Sequence, residues 1–91
     1  MGIELAEKPV NKSHHLRMDR ARFEQLVKGE RTWELRLHDR NIYVGDEVEF
    51  FEWGGSYGGG RTVRCKIVGI DTQMNEPWLA IGCCMLSLVL L

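Results

Sequence analysis

Between Gly29 and Arg40 the chain reads GERTWELRLHDR, and the residues in it that carry chemistry are Arg31, Glu34, Arg36, His38, Asp39 and Arg40. Glu34 and Arg36 stand two positions apart, so on an extended chain they share a face. A guanidinium donates in a rigid plane and a carboxylate accepts parallel N–H groups, which suits this set to gripping phosphate oxygens or the edges of nucleobases. The same pair also serves as an ion bridge between strands, and both uses stay open at this level. Acid–base chemistry is a further option. A desolvated Glu34 is a general base, whereas Arg31 stays protonated at any accessible pH and can only stabilise developing negative charge.

Positioning these groups requires a strand. Trp33, Leu35 and Leu37 alternate with Thr32, Glu34 and Arg36, the period-two pattern of a half-buried strand, and the expectation is that Trp33 and its apolar partners face the core. A helix precedes it. Asp19 is its N-cap, Ala21, Phe23, Leu26 and Val27 form its apolar stripe from Arg20 to Lys28, and Gly29 supplies a left-handed stop. Before the helix, Ser13 to Met18 reads as a first strand with His14, Leu16 and Met18 on one face and His15 and Arg17 on the other. Residues 1–12 read as a loose leader, leaving 13–91 as one domain.

Beyond Arg40, Gly45-Asp46 is a turn that opens the strand Glu47 to Trp53, and Arg61 to Ile70 reads as another strand with Val63, Cys65 and Ile67 facing inward. The run Gly54 to Gly60 is expected to be a long hairpin loop, not a phosphate cradle, because a strand follows it and no lysine accompanies it. Gly69 hints at a bulge. A loop over Asp71 to Trp78 then leads to one or two closing strands in Leu79 to Leu91. The sum is an α+β, mostly β fold: a small, partly closed β-barrel of five to six strands with one short helix.

Charge narrows the functional classes. The net charge is −1, so no overall basic field marks the protein as a nucleic-acid binder, yet Lys and Arg outnumber Asp and Glu nine to seven up to Arg40 and fall behind three to six after it. An anionic partner should therefore meet the first half. Cys65, Cys83 and Cys84 fit no zinc spacing, and His14 and His15 point to opposite faces of a strand, so no metal and no cofactor is expected. The apolar C-terminal run is too short for a membrane helix, and reduced thiols fit a cytoplasmic protein with no membrane partner.

In order and spacing, several residues resemble an ASCH domain of the PUA-like superfamily, in particular a small, mostly phage and bacterial subgroup of uncharacterised function. They are His14, Leu16 and Arg17, then Phe23, the G-x-[KR]-x-x-E-x-R run of Gly29, Arg31, Glu34 and Arg36, the Asp39-Arg40 pair, Gly45-Asp46 and the Gly60-Arg61 step. The resemblance covers His14 to Leu91. It implies a β-barrel with a cleft beside the helix-to-strand segment and a role in binding RNA or a nucleotide. One branch of such proteins hydrolyses N-acylated cytidine nucleosides with a lysine and a threonine after the helix; those positions fall here on Arg31 and Glu34.

The expected activity is RNA or nucleotide binding in a cleft lined by His14, Arg17, Arg31, Glu34, Arg36 and Arg40, with His14 bonded to Glu34 or Asp39. Trp53, Tyr57 and Trp78 are placed either to stack on bases or to pack at the rim. The enzymatic alternative is amide hydrolysis on a modified cytidine nucleoside, with Glu34 activating water and Arg31 holding the oxyanion. A third reading is a protein-interaction module that uses the apolar edge near the C-terminus.

Overall fold

The computed structural model describes residues 11–38, 41–54 and 57–91. Five strands, β1 (Ser13–Asp19), β2 (Trp33–Leu37), β3 (Glu47–Gly54), β4 (Tyr57–Thr72) and β5 (Cys83–Leu90), form one curled sheet in the order β1-β3-β4-β5-β2, and the helix α1 (Arg20–Val27) packs against it. The fold is mostly β with one short helix, a half-barrel whose hydrogen-bonded sheet ends at β1 and β2. Only the β1–β3 pair is parallel; the other three are antiparallel. A parallel neighbour needs a crossover, and here α1, β2 and the loop before β3 supply it.

Alternation on the strands builds the core. Leu16 and Met18 on β1, Val48 and Phe50 on β3, Cys65 and Ile67 on β4, and Cys84, Leu86 and Leu88 on β5 are all buried. Phe23 and Leu26 of α1 close over them, joined by Ile42. Burial pushes the Cys65 thiol up to about 11, so it packs as a small apolar group.

Local signals set the helix limits. Asp19 Oδ1 accepts the Arg22 backbone N–H at 2.8 Å. At the other end Gly29 (φ +79°) donates to the Leu26 carbonyl and Glu30 to that of Gln25, the paired bonds of a Schellman stop. Gly45 (φ +99°) makes the turn before β3, where an added Cβ would press on the Asn11 side chain at 3.1 Å. The expected irregularity at Gly69 is a register shift between Ile67 and Gly69 opposite β5.

Two expectations are corrected. The glycine-rich run is mostly strand: β4 begins at Tyr57 and the ladder to β3 continues to the Gly54–Tyr57 pair, where a loop from Gly54 to Gly60 was expected. Backbone pairing, together with a register shift between Phe51 and Trp53, decides this, and composition alone does not report it. Of the one or two final strands expected in Leu79 to Leu91 there is one, β5, with Leu79 buried in the loop before it. The second correction concerns β2. Glu34 is fully buried while Trp33, Leu35 and Leu37 are 40%, 43% and 64% exposed, the reverse of the expected orientation. Alternation reveals that a strand has two unlike faces; it does not say which one turns inward. The leader expected at residues 1–12 lies mostly outside the described residues.

The orientation of β2 is testable by stability. Leu37→Ala should change unfolding free energy by no more than about 0.5 kcal/mol, as for a surface site, whereas Leu86→Ala should cost about 2–5 kcal/mol. Urea denaturation of both variants checks this, and equal losses would contradict the inward placement of Glu34.

Candidate functional site

Glu34 sits on the inner face of β2, opposite Leu86 of β5, with no exposure to solvent. Three guanidinium groups enclose it. Arg22, from the first turn of α1, places Nη1 at 3.3 and 3.2 Å from the two carboxylate oxygens. Arg31, from the turn after the helix, donates Nη2 to Oε1 at 3.2 Å, and Arg36, on β2 itself, holds Nη1 at 3.7 Å from Oε2. A buried carboxylate without partners is strongly unfavourable, so this arrangement dictates where all three arginines lie.

Arg31 and Arg36 are further tied to the backbone. Arg31 donates Nε to the Trp33 carbonyl at 3.0 Å and lies over the Trp33 ring, 4.0 Å from its centroid. Arg36 donates Nη1 to the Arg17 carbonyl at 3.3 Å. That bond reaches from β2 to β1, the two strands at which the ladder ends. A side chain thus links the two edges of the half-barrel where the ladder does not.

Beside this seam lies a hollow of about 290 Å³ lined by Arg17, Met18, Asp19, Arg22, Arg36 and Trp53. Four elements meet there: the end of β1, the first turn of α1, β2 and the end of β3. Trp53 is 48% exposed, and the Arg17 guanidinium lies over its ring at 5.2 Å. Asp19 both caps the helix and stands 3.2 Å from Arg22 Nε, which faces it without forming a hydrogen bond. The Arg22 backbone N–H, helped by the nearby guanidinium and opposed by partial burial, holds the Asp19 carboxyl below its ordinary range. Across the hollow and the Glu34 cage, four guanidiniums face two carboxylates, an excess of two positive charges. The site can therefore take an anion and offer a flat surface to an aromatic ring.

Of the residues expected here, Arg17 and Arg36 line the hollow, and Glu34 stands behind it as the group that orders the arginines. Arg31 shares the Glu34 cage, but it faces a second, largely apolar hollow of about 310 Å³ formed with Leu26, Gly29, Thr32 and residues 88–90. His14 is not part of the site. It lies three residues before Arg17 on β1 and its Nε2 donates to Asp46 Oδ2 at 2.8 Å, in the turn before β3, and not to Glu34; the alternative partner, Asp39, lies outside the described residues, as does Arg40. Trp53 lines the hollow, in keeping with one of the two placements open to it in the sequence, whereas Arg22 was not legible as a site residue, and only the packing of α1 across the sheet edge brings the two together.

Two other buried carboxylates shape the surroundings. Glu52 continues the inward alternation of Val48 and Phe50, the signal that could have placed it, and is held bidentate by Arg61 at 3.1 and 2.8 Å with Arg20 Nε at 3.4 Å. Arg61 also bonds Glu24 and lies over the Phe23 ring at 5.0 Å, tying α1 to β3 and β4. The Arg61 hydrogen bonds lower the Glu52 pKa against a smaller effect of burial. Asp46 is fully buried. Burial alone would raise its pKa, but the bond from His14 and the N–H groups of Lys12 and Tyr43, each at 3.0 Å, outweigh it and the pKa is lowered. Among the described residues no group of three or more His, Cys, Asp or Glu side chains is placed to hold a metal ion, and no helix is long and apolar enough to cross a membrane.

Fold and site together define a small, mostly β domain in which a curled sheet is sealed by a buried carboxylate and carries an arginine-lined hollow at its seam. Residues 13–88 match the family described as Domain of unknown function (DUF3850), and the chain belongs to that family. No curated protein matches it.

Two outcomes follow from these ion pairs. Glu34→Gln should destabilise the fold by about 3 kcal/mol, near the lower end for breaking a buried pair because the three guanidiniums reach water, while Arg36→Ala should cost about 1 kcal/mol or less. Thermal or urea unfolding measures both. For Asp46, a lowered folded-state pKa means that its stabilisation is complete above the unfolded value, roughly pH 4, and is lost as pH falls through the folded value. The stability gap between wild type and Asp46→Asn, read by urea unfolding from pH 7 to pH 3, should be constant above about pH 5 and shrink below pH 4. A gap that widens on acidification would reverse the assignment.

Proposed function

We propose that this domain binds RNA or a nucleotide in the hollow between β1, α1, β2 and β3. The observation that carries the reading is the excess of two positive charges around a concavity that also presents Trp53 and the Arg17 guanidinium as a flat surface. Arg22 and Arg36 would contact phosphate, and a base would stack against the Arg17–Trp53 pair, the combination that single-stranded nucleic-acid sites use. The resemblance to ASCH domains supports the same reading through its cleft beside the helix-to-strand segment.

Hydrolysis of an N-acylated cytidine nucleoside gains no support from the geometry. A water-activating Glu34 needs an oxygen open to the hollow, whereas the residue is fully buried with both oxygens in guanidinium contacts. Arg31 is held by Glu34 and the Trp33 carbonyl, away from any oxyanion beside the hollow. A protein-interaction role has one observation in its favour, the outward Trp33, Leu35 and Leu37 together with half-exposed Val89. Binding through that face would vary little with salt.

The test is binding of a short single-stranded RNA of mixed sequence at several salt concentrations. Affinity should fall with salt, and Arg17→Ala combined with Arg36→Ala should weaken it and reduce the log–log salt slope by about 0.7 for each phosphate no longer neutralised. Arg64→Ala, an exposed change on β4, should leave binding unaltered. Undiminished RNA affinity in the double variant, or no binding at low salt, would overturn the proposal.

A further inference from the structure

We infer that the hollow takes a terminal phosphate monoester, the phosphorylated end of a nucleotide or RNA strand, in preference to an internal phosphodiester. The inference rests on the reading of this site as a nucleotide site and adds the class of phosphate. Charge is the first argument. Arg17, Arg22 and Arg36 line the hollow against Asp19, and Glu34 behind them is balanced in part by Arg31 from its other side, leaving two positive charges. A phosphate monoester carries about −1.5 to −2 at neutral pH, whereas a diester carries one negative charge. Only the monoester neutralises the site.

Donor supply is the second argument. Arg36 commits Nη1 to Glu34 and the Arg17 carbonyl, so among the described residues its remaining N–H groups have no protein acceptor. Arg22 Nε is buried against Asp19 and Nη1 is committed to Glu34, so Nη2 is the Arg22 group left without a protein acceptor among the described residues. Two guanidiniums fixed by the same buried carboxylate thus present several convergent N–H groups, which match the three terminal oxygens of a monoester better than the two of a diester. Their geometry is set in advance because Glu34 is immobilised in the core, so little ordering is required on binding.

Size and the placement of Asp19 complete the case. About 290 Å³ corresponds to roughly ten waters, room for one phosphate and its sugar with the base laid over Arg17 and Trp53. Asp19 in the wall repels a second phosphate, which favours a monophosphate over a triphosphate, and offers an acceptor to a ribose hydroxyl.

Calorimetric titration of the full chain with one hexaribonucleotide prepared in three forms (5′-phosphate, 3′-phosphate and hydroxyl at both ends) tests the inference. One phosphorylated form should bind about tenfold tighter than the hydroxyl form, the effect of one added charge-assisted hydrogen bond. Arg36→Ala should bring that ratio close to one, and Arg36→Lys, which keeps the charge but loses the fork, should give an intermediate ratio; both variants are first checked for wild-type circular dichroism. Equal affinity for all three forms would overturn the monoester assignment and leave RNA binding standing. Binding of none of them would overturn both.

Discussion

A carboxylate without solvent contact sits at the centre of this molecule's organisation. Placing Glu34 in the interior is tolerable only because guanidiniums arrive from three separate positions: the helix, the turn after it and the strand that carries Glu34. That requirement fixes the angle of α1 over the sheet, the inward face of β2 and the course of the chain between them. An isolated ion pair on the surface would constrain none of these.

The seam between β1 and β2 follows from the same interaction. An open half-barrel leaves two strand edges with unmet backbone groups, and natural sheets protect such edges with charges, bulges or covering elements. Here the Arg36 side chain crosses to the Arg17 carbonyl while Glu34 holds it in place. On the far side of α1, Glu52, Arg61 and Glu24 bind the helix to β3 and β4. The short helix is thus held between two ion networks, one facing the hollow and one facing away from it. Its apolar contribution is small, chiefly Phe23 and Leu26, so polar contacts carry much of its positional specificity.

Function and stability share these groups. The arginines that neutralise Glu34 also give the hollow its positive character, so the site is assembled as a consequence of folding and needs no separate scaffold. Trp53 enters because β3 runs parallel to β1 and ends beside it, at the register that sets Asp19 opposite Trp53. The aromatic surface therefore comes from a strand far in sequence from β1, α1 and β2, which supply the cationic wall.

The sequence by itself determined the elements whose causes are local. The Asp19 cap, the Gly29 stop, the Gly45 turn, the bulge at Gly69 and the inward set on β4 depend on neighbouring residues and were legible, as was the concentration of chemistry in Arg31, Glu34 and Arg36. Tertiary structure alone decided which face of β2 turned inward, that His14 serves Asp46, that Arg61 is the partner of the buried Glu52, and that Arg22 and Trp53 join Arg17 and Arg36. The reason is range. A cap or turn is settled within four residues of backbone, but the sign of a strand's buried face depends on where its counter-ions come from, and those lie on elements that meet only when the sheet curls.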